Sequence, residues 1–187
     1  GAQAQYRKPE YSVARAMVSE VAMEVDAEVD FAVEEHGRMY TIYNERVGLE
    51  RPDKKIGQRY YMHSNASGKS ALATLSEERV REILDQWGLP KVTNKTITSK
   101  EELLEELDTI RTRGYAINRE ESIKGKRAVS VAVTSPDDDL VGSLTVSGPK
   151  YQIPDDVLLD QLPPLLLSKS NEMEKKIESL HKSTSIQ

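Results

Sequence analysis

The 187-residue sequence predicts an α+β domain: one mainly antiparallel, twisted sheet with helices on its faces. Two observations carry this prediction. Alternating segments rich in β-branched and aromatic residues form a pair near the start and a set of three near the end, and amphipathic helical segments stand before, between and after these groups. With 37% apolar and 30% charged residues, the composition is that of an ordinary globular protein, and the length suits a single domain over residues 1–187.

The first elements are a helix and a hairpin. Apolar residues recur every three or four positions and predict an amphipathic helix over residues 10–26. The next segment alternates and has turn residues at its centre, which predicts strands over residues 29–35 and 38–47. Residues 48–59 contain proline, glycine and many charges, so they are expected to form a loop.

Three helices are predicted next. The first opens between Ser64 and Ser67, and the second is capped by Ser76. The third covers residues 99–113, with its leucines on one face, and stops at Gly114. These helices are expected to lie on the surface of the sheet.

Three strands and a closing helix complete the chain. The strands are predicted over residues 115–118, 127–135 and 140–148. Residues 136–139 are expected to join the last two strands in a turn. Their three aspartates follow a proline between two strands, which favours this turn over a calcium site. The closing helix runs from residue 155 to about 181, with a kink expected at Pro163 and Pro164.

Three stretches of this sequence carry motifs that resemble those of a known protein family. They are GQRYYMHSNASGKSALATL at 57–75, LDTIRTRGYAINREESIKGKRAVSVAV at 107–133 and LVGSLTVSGPKYQI at 140–153. Together and in this order they resemble the effector-binding domain of the IclR family of bacterial and archaeal transcription regulators. The resemblance implies a GAF-like fold and a sensor role. The family also carries an N-terminal winged helix-turn-helix, which is expected to be absent from residues 1–187 because only one predicted helix precedes the first strand.

The resemblance also implies an effector site. Carried over by position, its residues are Asn65, Ala66, Asn118, Ala128, Thr145 and Ser147. Asn118 stands where the family commonly has Asp, Ala128 where Cys is common and Ala132 where Pro is common, so the ligand is expected to differ within a shared pocket. The expected effector is a small organic acid or an aromatic metabolite, because neutral donors at these positions favour an anion.

The segment around Gly68, Lys69 and Ser70 has two competing interpretations. It ends like a phosphate-binding Walker loop, but that motif needs a glycine where His63 stands. A helix start here can receive a small anion on its free N–H groups, or it can be a plain N-cap with Lys69 in solvent. The residues alone leave these two open, and the resemblance favours a ligand.

Several functions are disfavoured by what the sequence lacks. There is no cysteine, and His36, His63 and His181 do not have the spacing of metal ligands, so neither a metal nor a cofactor is expected. The sequence has no nucleophile elbow and His63 has no evident partner, which argues against a hydrolase using Ser64 or Ser67. We therefore expect a protein that is not an enzyme.

The expected partners and location follow from charge and from the resemblance. The net charge of −5 gives no basic face, so DNA contact is expected only through the missing N-terminal domain. With no membrane-spanning run or signal peptide, a cytoplasmic location is expected. The family implies a homodimer or homotetramer, held through the terminal helices or a sheet edge. A ligand-free dimerisation module is the main alternative, and it predicts a pocket filled by apolar side chains.

Overall fold

A six-stranded antiparallel sheet forms the centre of the protein, as seen in a computed structural model that describes residues 8–48 and 56–185. The strands are β1 (Glu28–Glu35), β2 (Arg38–Glu45), β3 (Arg59–Tyr60), β4 (Ala116–Arg119), β5 (Lys126–Thr134) and β6 (Leu140–Pro149). Their order across the sheet is β3-β2-β1-β6-β5-β4, and every pairing is antiparallel. The predicted α+β, GAF-like class is confirmed.

Five helices cover the two faces of this sheet. They are α1 (Pro9–Ala22), α2 (Ala66–Leu72), α3 (Glu77–Trp87), α4 (Lys100–Arg113) and α5 (Leu162–Ser185). On one face, α1 and α5 pack over an apolar core that includes Phe31, Val131 and Leu144. On the other face, α2, α3 and α4 enclose a second apolar cluster around Met39 and Leu72.

The alternation of side chains along the strands keeps the two faces chemically different. On β5, Val129, Val131 and Val133 belong to the core beneath α1 and α5. Ala128 and Ser130, at the intervening positions, point to the α2 side of the sheet because successive side chains of a strand alternate in direction. The face beneath α2 therefore carries small and polar residues.

Local signals explain where most helices begin and end. Ser76 and Ser99 cap α3 and α4, their hydroxyls accepting from Arg79 N and Glu102 N. Gly114 closes α4 in the left-handed region at φ 91°, where only glycine avoids strain. These boundaries agree with the sequence predictions.

Three differences from the sequence predictions appear in the irregular segments. Helix α1 ends at Ala22, before residue 26, and residues 49–55 of the predicted loop lie outside the described residues. The two-residue β3 was missed because Arg59 and Tyr60 show no alternation. The last helix begins at residue 155, as predicted, but a π-helical turn over Val157–Gln161 lies within it directly before Pro163 and Pro164, and this wider turn accommodates two residues that cannot donate a backbone N–H.

Candidate effector site

Three of the six predicted site residues lie in one row across the sheet. Asn118 on β4 is paired with Ala128 on β5, and Ala128 is paired with Ser147 on β6. Cross-strand partners share a face, so all three point to the α2 side. Asn118, Ala128 and Ser147 are 5%, 6% and 7% exposed, which places the row in the interior.

Ser147 and Asn118 bring hydrogen-bonding groups to this row. Ser147 Oγ makes no hydrogen bond to any group within residues 8–48 and 56–185. Asn118 Oδ1 accepts from Glu121 N at 2.8 Å, while Nδ2 donates to Ser122 Oγ at 3.0 Å. These bonds fix the orientation of the amide and leave a second Nδ2 hydrogen for another acceptor.

Thr145 lies in the next row and is committed to a network of hydroxyls. Its Oγ1 donates to Ser130 Oγ at 2.8 Å, and Ser130 Oγ is 3.0 Å from Ser70 Oγ on α2. Ser143 Oγ is 3.1 Å from Ser70 Oγ and donates to the Ser67 carbonyl at 2.9 Å. The network ties α2 to β5 and β6, so the structure gives Thr145 a role in holding α2 in place.

Asn65 and Ala66 form the beginning of α2. Asn65 is the N-cap: its Oδ1 accepts from Gly68 N at 2.7 Å and from Ser67 Oγ at 2.9 Å, and its Nδ2 donates to Tyr61 O at 2.5 Å. The polar atoms of the Asn65 side chain are therefore occupied by the N-cap, as expected if the start of this helix is a plain N-cap and not an anion site. Ala66 is 1% exposed and belongs to the second apolar cluster.

Lys69 is buried, and the expectation that it lies in solvent in a plain N-cap is wrong. The side chain is 1% exposed, and Nζ donates to Glu121 Oε1 at 2.8 Å and to the Ile117 carbonyl at 2.7 Å. Glu106 adds a second carboxylate 3.6 Å from Nζ. Sequence pattern missed this contact because Lys69 and Glu121 are 52 positions apart in the chain.

Two buried carboxylates on the same face were also missed. Glu28 and Asp30 on β1 are 4% and 0% exposed, and they pair with Ser147 and Thr145 respectively. The sequence could have indicated this, because Glu28, Val29 and Asp30 alternate along a strand, and alternation places both acids on the face opposite the valine. The row that holds Ser147 therefore continues to a carboxylate.

Two features that resemble catalytic or phosphate-binding motifs have structural roles. A Cβ at Gly68 would collide with the Met62 backbone, so this glycine allows a close chain approach. His63 Nε2 lies 2.9 Å from the Pro90 carbonyl, and burial lowers the pKa of this imidazole below its usual 6.5 although the Pro90 bond opposes the shift. A neutral His63 donates this bond and links α2 to the segment after α3.

Residues 8–48 and 56–185 contain no cluster of three or more His, Cys, Asp or Glu side chains arranged to hold a metal ion. Across the same ranges, none of the helices has the length and apolar character needed to cross a membrane.

The sequence and the fold are similar to those of known regulators. The family model for the bacterial transcriptional regulator IclR C-terminal domain matches residues 9–173. A probable HTH-type transcriptional regulator ArcR of Halobacterium salinarum is 28% identical over 174 residues, which cover 90% of this chain and 66% of that protein. The chain spans between 33% and 66% of the length of the first curated relatives it matches.

Solved structures show the same architecture. The IclR protein of Thermotoga maritima superposes with a TM-score of 0.84 at 25% identity, over 92% of this chain and 70% of that one. A double mutant of the inducer-binding domain of PobR from Acinetobacter, in complex with 3-hydroxybenzoic acid, has a TM-score of 0.79 at 23% identity, over 87% of this chain and 96% of that one. The curated relatives are transcriptional regulators, not enzymes, which confirms the prediction made from the sequence. The chain therefore belongs to the IclR family of transcriptional regulators, in which it corresponds to the C-terminal domain.

Proposed function

We propose that the chain senses a small organic molecule that binds between α2 and the β4, β5 and β6 strands. The observation that carries this proposal is Ser147, a 7% exposed residue whose hydroxyl has no hydrogen bond within the described ranges and which shares its row with Asn118 and Ala128. The Ser147 oxygen is not among the fully buried atoms that lack a partner, so it keeps some contact with solvent, and a ligand acceptor can replace that solvent. A ligand acceptor placed between Ser147 and the second Nδ2 hydrogen of Asn118 satisfies both groups.

The polarity of this face favours a ligand over the alternative of a ligand-free dimerisation module. That alternative expects an apolar floor, whereas Asn118 and Ser147 leave donors available in the row that they share with Ala128; Ser130 and Thr145 are already committed to the network that holds α2. The PobR domain with bound 3-hydroxybenzoic acid shows that a domain of this fold can hold a small aromatic acid. We place Asn65 and Ala66 at the wall formed by the start of α2, and Ala128 where its small side chain leaves room.

The effector is proposed to be a small organic acid or aromatic metabolite that also carries a hydrogen-bond donor. Its carbonyl or carboxylate oxygen faces Asn118 and Ser147, which present N–H and O–H groups. The carboxylates of Glu28 and Asp30 lie further along the floor and favour a hydroxyl or amine on the side of the ligand nearest β1. Binding shifts the population of two domain arrangements and so changes the promoter affinity of a longer regulator, which contacts DNA through a winged helix-turn-helix.

We also propose that the chain forms a homodimer or homotetramer. Two of the expected surfaces, the apolar faces of the terminal helices and the β4 edge of the sheet, are already engaged within the monomer. The apolar residues of α1 and α5 complete the core of the monomer. Along the β4 edge, outward backbone groups are occupied: Arg113 Nε donates to the Tyr115 carbonyl at 2.7 Å, Lys69 donates to Ile117, and Glu121 Oε2 accepts from Arg119 N at 3.0 Å.

A thermal-shift screen against hydroxy, amino and aromatic carboxylic acids tests the sensor proposal. A matching compound at about 100 times its Kd stabilises the fold by roughly 2.7 kcal/mol. Replacing Ser147 by Val is expected to weaken binding at least about tenfold, because the ligand loses a hydrogen-bond donor, while the stability without ligand stays nearly constant. Replacing Asn118 by Asp should weaken carboxylates more than their neutral amides.

The matched control is Ser170→Ala, which removes a buried hydroxyl from α5, on the opposite face of the sheet, where it donates to the Ala132 carbonyl at 3.0 Å. It should leave the ligand-induced shift unchanged. Unchanged affinity in both Ser147→Val and Asn118→Asp would place the site elsewhere in the protein.

A further inference from the structure

The guanidinium of Arg127 lies at one end of the sheet, where β5 begins. Its Nη1 donates to the Ile153 carbonyl at 3.1 Å and to Asp155 Oδ1 at 2.8 Å, and these two bonds use both hydrogens of Nη1. Its Nε and Nη2 atoms make no hydrogen bond to any group within residues 8–48 and 56–185. The N–H donors of Nε and Nη2 are therefore still available.

The Nε–Nη2 edge of an arginine side chain has the shape that matches an oxyanion. Its two parallel N–H groups fit two oxygens of a carboxylate or phosphate, and such charged pairs are roughly twice as strong as hydrogen bonds between neutral groups. The Arg127 side chain is 10% exposed, and its Nη2, unlike Nε, is not among the fully buried atoms that lack a partner. Nη2 thus keeps contact with solvent, and an anion that reaches it also meets the neighbouring Nε–H.

Arg127 lines a shallow cleft whose other residues include three rings and a second cation. The cleft has a volume of about 780 Å³, and Pro149, Tyr151 and Pro154 supply the rings. Lys150, which also lines the cleft, is exposed. Tyr151 is 80% exposed, so its ring is accessible for stacking on a flat ligand. The cleft can therefore hold an oxyanion and a planar group at the same time.

The charge next to Arg127 also favours an anion. Arg119 on β4 is the register partner of Arg127, so the two side chains leave the sheet side by side on one face. The Arg119 side chain is exposed and makes no ion pair or hydrogen bond within the described ranges. Among the described residues a single carboxylate, that of Asp155, bonds to either guanidinium, and it is 70% exposed. Like charges that face each other across a strand pair are destabilising, and an oxyanion beside Arg127 reduces this repulsion.

This cleft is separate from the proposed effector site. Arg127 and Ala128 are consecutive in β5, and their side chains therefore point to opposite faces of the sheet. Ala128 faces α2, whereas Arg127 lies on the face that is covered by α1 and α5 and that also carries Val129. Each site can thus be altered without touching the residues of the other.

We propose that this cleft is a second ligand site, which binds a small molecule in which a phosphate or carboxylate is attached to a flat ring. The oxyanion bonds to Nε and Nη2 of Arg127, Lys150 adds a second positive charge, and Tyr151 stacks on the ring. Arg127 keeps its bonds to Ile153 and Asp155, so the loop after β6 retains its shape when the ligand binds. A site that is formed before binding loses little conformational entropy.

NMR titration of the isotope-labelled full chain at constant ionic strength tests this site. Phenyl phosphate and benzoate are the two ring anions, and comparing them distinguishes a phosphate ligand from a carboxylate ligand. Inorganic phosphate and acetate are the matching anions without a ring. At least one ring anion should give saturable shifts of the backbone amides of Gly125, Lys150 and Tyr151. It should bind at least about tenfold tighter than its ringless counterpart, because it engages both the guanidinium and the tyrosine ring.

Variants separate the parts of the site. Arg127→Lys keeps a positive charge and a donor for Ile153 and Asp155 but lacks the two-donor edge, so it should weaken the ring anion at least about tenfold. Tyr151→Ser changes an exposed residue and should lower the affinity for the ring anion to that of its ringless counterpart. Arg79→Lys, on α3, is the matched control and should bind like the parent chain.

Ser147→Val distinguishes this site from the proposed effector site, because it should leave the shifts at Gly125, Lys150 and Tyr151 unchanged. Equal affinity for the ring anion in the parent chain, Arg127→Lys and Tyr151→Ser would overturn the proposal. Shifts that do not saturate with either ring anion, or that lie only outside the cleft, would also overturn it.

Discussion

At the scale of single residues, the buried Lys69 is the least expected feature of the protein. Its ammonium group is balanced by Glu121 at 2.8 Å and lies 3.6 Å from Glu106, in an environment where the lysine is only 1% exposed. Removing one member of a buried ion pair leaves the other charge without compensation, which is costly in a medium of low polarity.

We therefore expect Lys69→Met to lower the free energy of unfolding by about 3–5 kcal/mol, as measured by urea denaturation. The double variant Lys69→Met with Glu121→Gln should recover part of this loss, because it removes the unpaired carboxylate. Lys124→Met, at an exposed lysine, serves as the control and should have little effect. Unfolding of Lys69→Met at the urea concentration of the parent chain would contradict this account of the pair.

At the scale of secondary-structure elements, α2 lies unusually close to the chain that precedes it. All three nearest atoms to an added Cβ at Gly68 belong to the Met62 backbone, which cannot move aside as a flexible side chain can. The seven-residue helix is also fixed to β5 and β6 by the serine network around Ser70.

Gly68→Ala is expected to displace α2 and to cost about 1–3 kcal/mol of stability, as overpacking does in other interiors. Gly148→Ala is the control, because the nearest atom there is the end of the Gln152 side chain, which can rotate away. Differential scanning calorimetry should show a clearly lower Tm for the Gly68 variant than for the Gly148 variant. Equal values for the two variants would mean that α2 has room to relax.

The elements were largely predictable from the sequence, whereas the site was predictable only through resemblance. Caps at Ser76 and Ser99 and the strand alternation of β5 and β6 are local signals within a few residues. The row that joins Asn118 to Ala128 depends on strand order and register, which short-range periodicity does not specify. The same is true of the buried Lys69 and its partner Glu121.

At the scale of the whole molecule, protonation of His63 couples stability to pH. Burial lowers the pKa of this imidazole below 6.5, with the Pro90 carbonyl partly offsetting the shift. The unfolded chain therefore binds the proton more readily than the folded protein. The stability supplied by neutral His63 is complete above pH 6.5 and declines as the pH falls through the lowered folded-state pKa.

We expect the free energy of unfolding, followed by urea titration from neutral pH to roughly pH 5, to fall less steeply in His63→Gln than in the parent chain. Glutamine can keep a donor for the Pro90 carbonyl but does not titrate. His36→Gln is the control, because the His36 side chain is 83% exposed, and its profile should follow that of the parent. If the free energy of unfolding changed with pH equally in the parent chain and in His63→Gln, the His63 ring would not be the cause of the pH dependence.

The division of β5 and β6 into two sets of side chains has a consequence for how such a domain can diverge. Val129, Val131 and Leu144 hold α1 and α5 on the sheet, while Ala128 and Ser147 stand on the other face and contribute little to that core. Substitutions at Ala128 and Ser147 can therefore change this face of the sheet without disturbing the core beneath α1 and α5. Under the sensor function proposed above, regulators that share this architecture can come to respond to different ligands through substitutions at a few short side chains, while the fold stays the same.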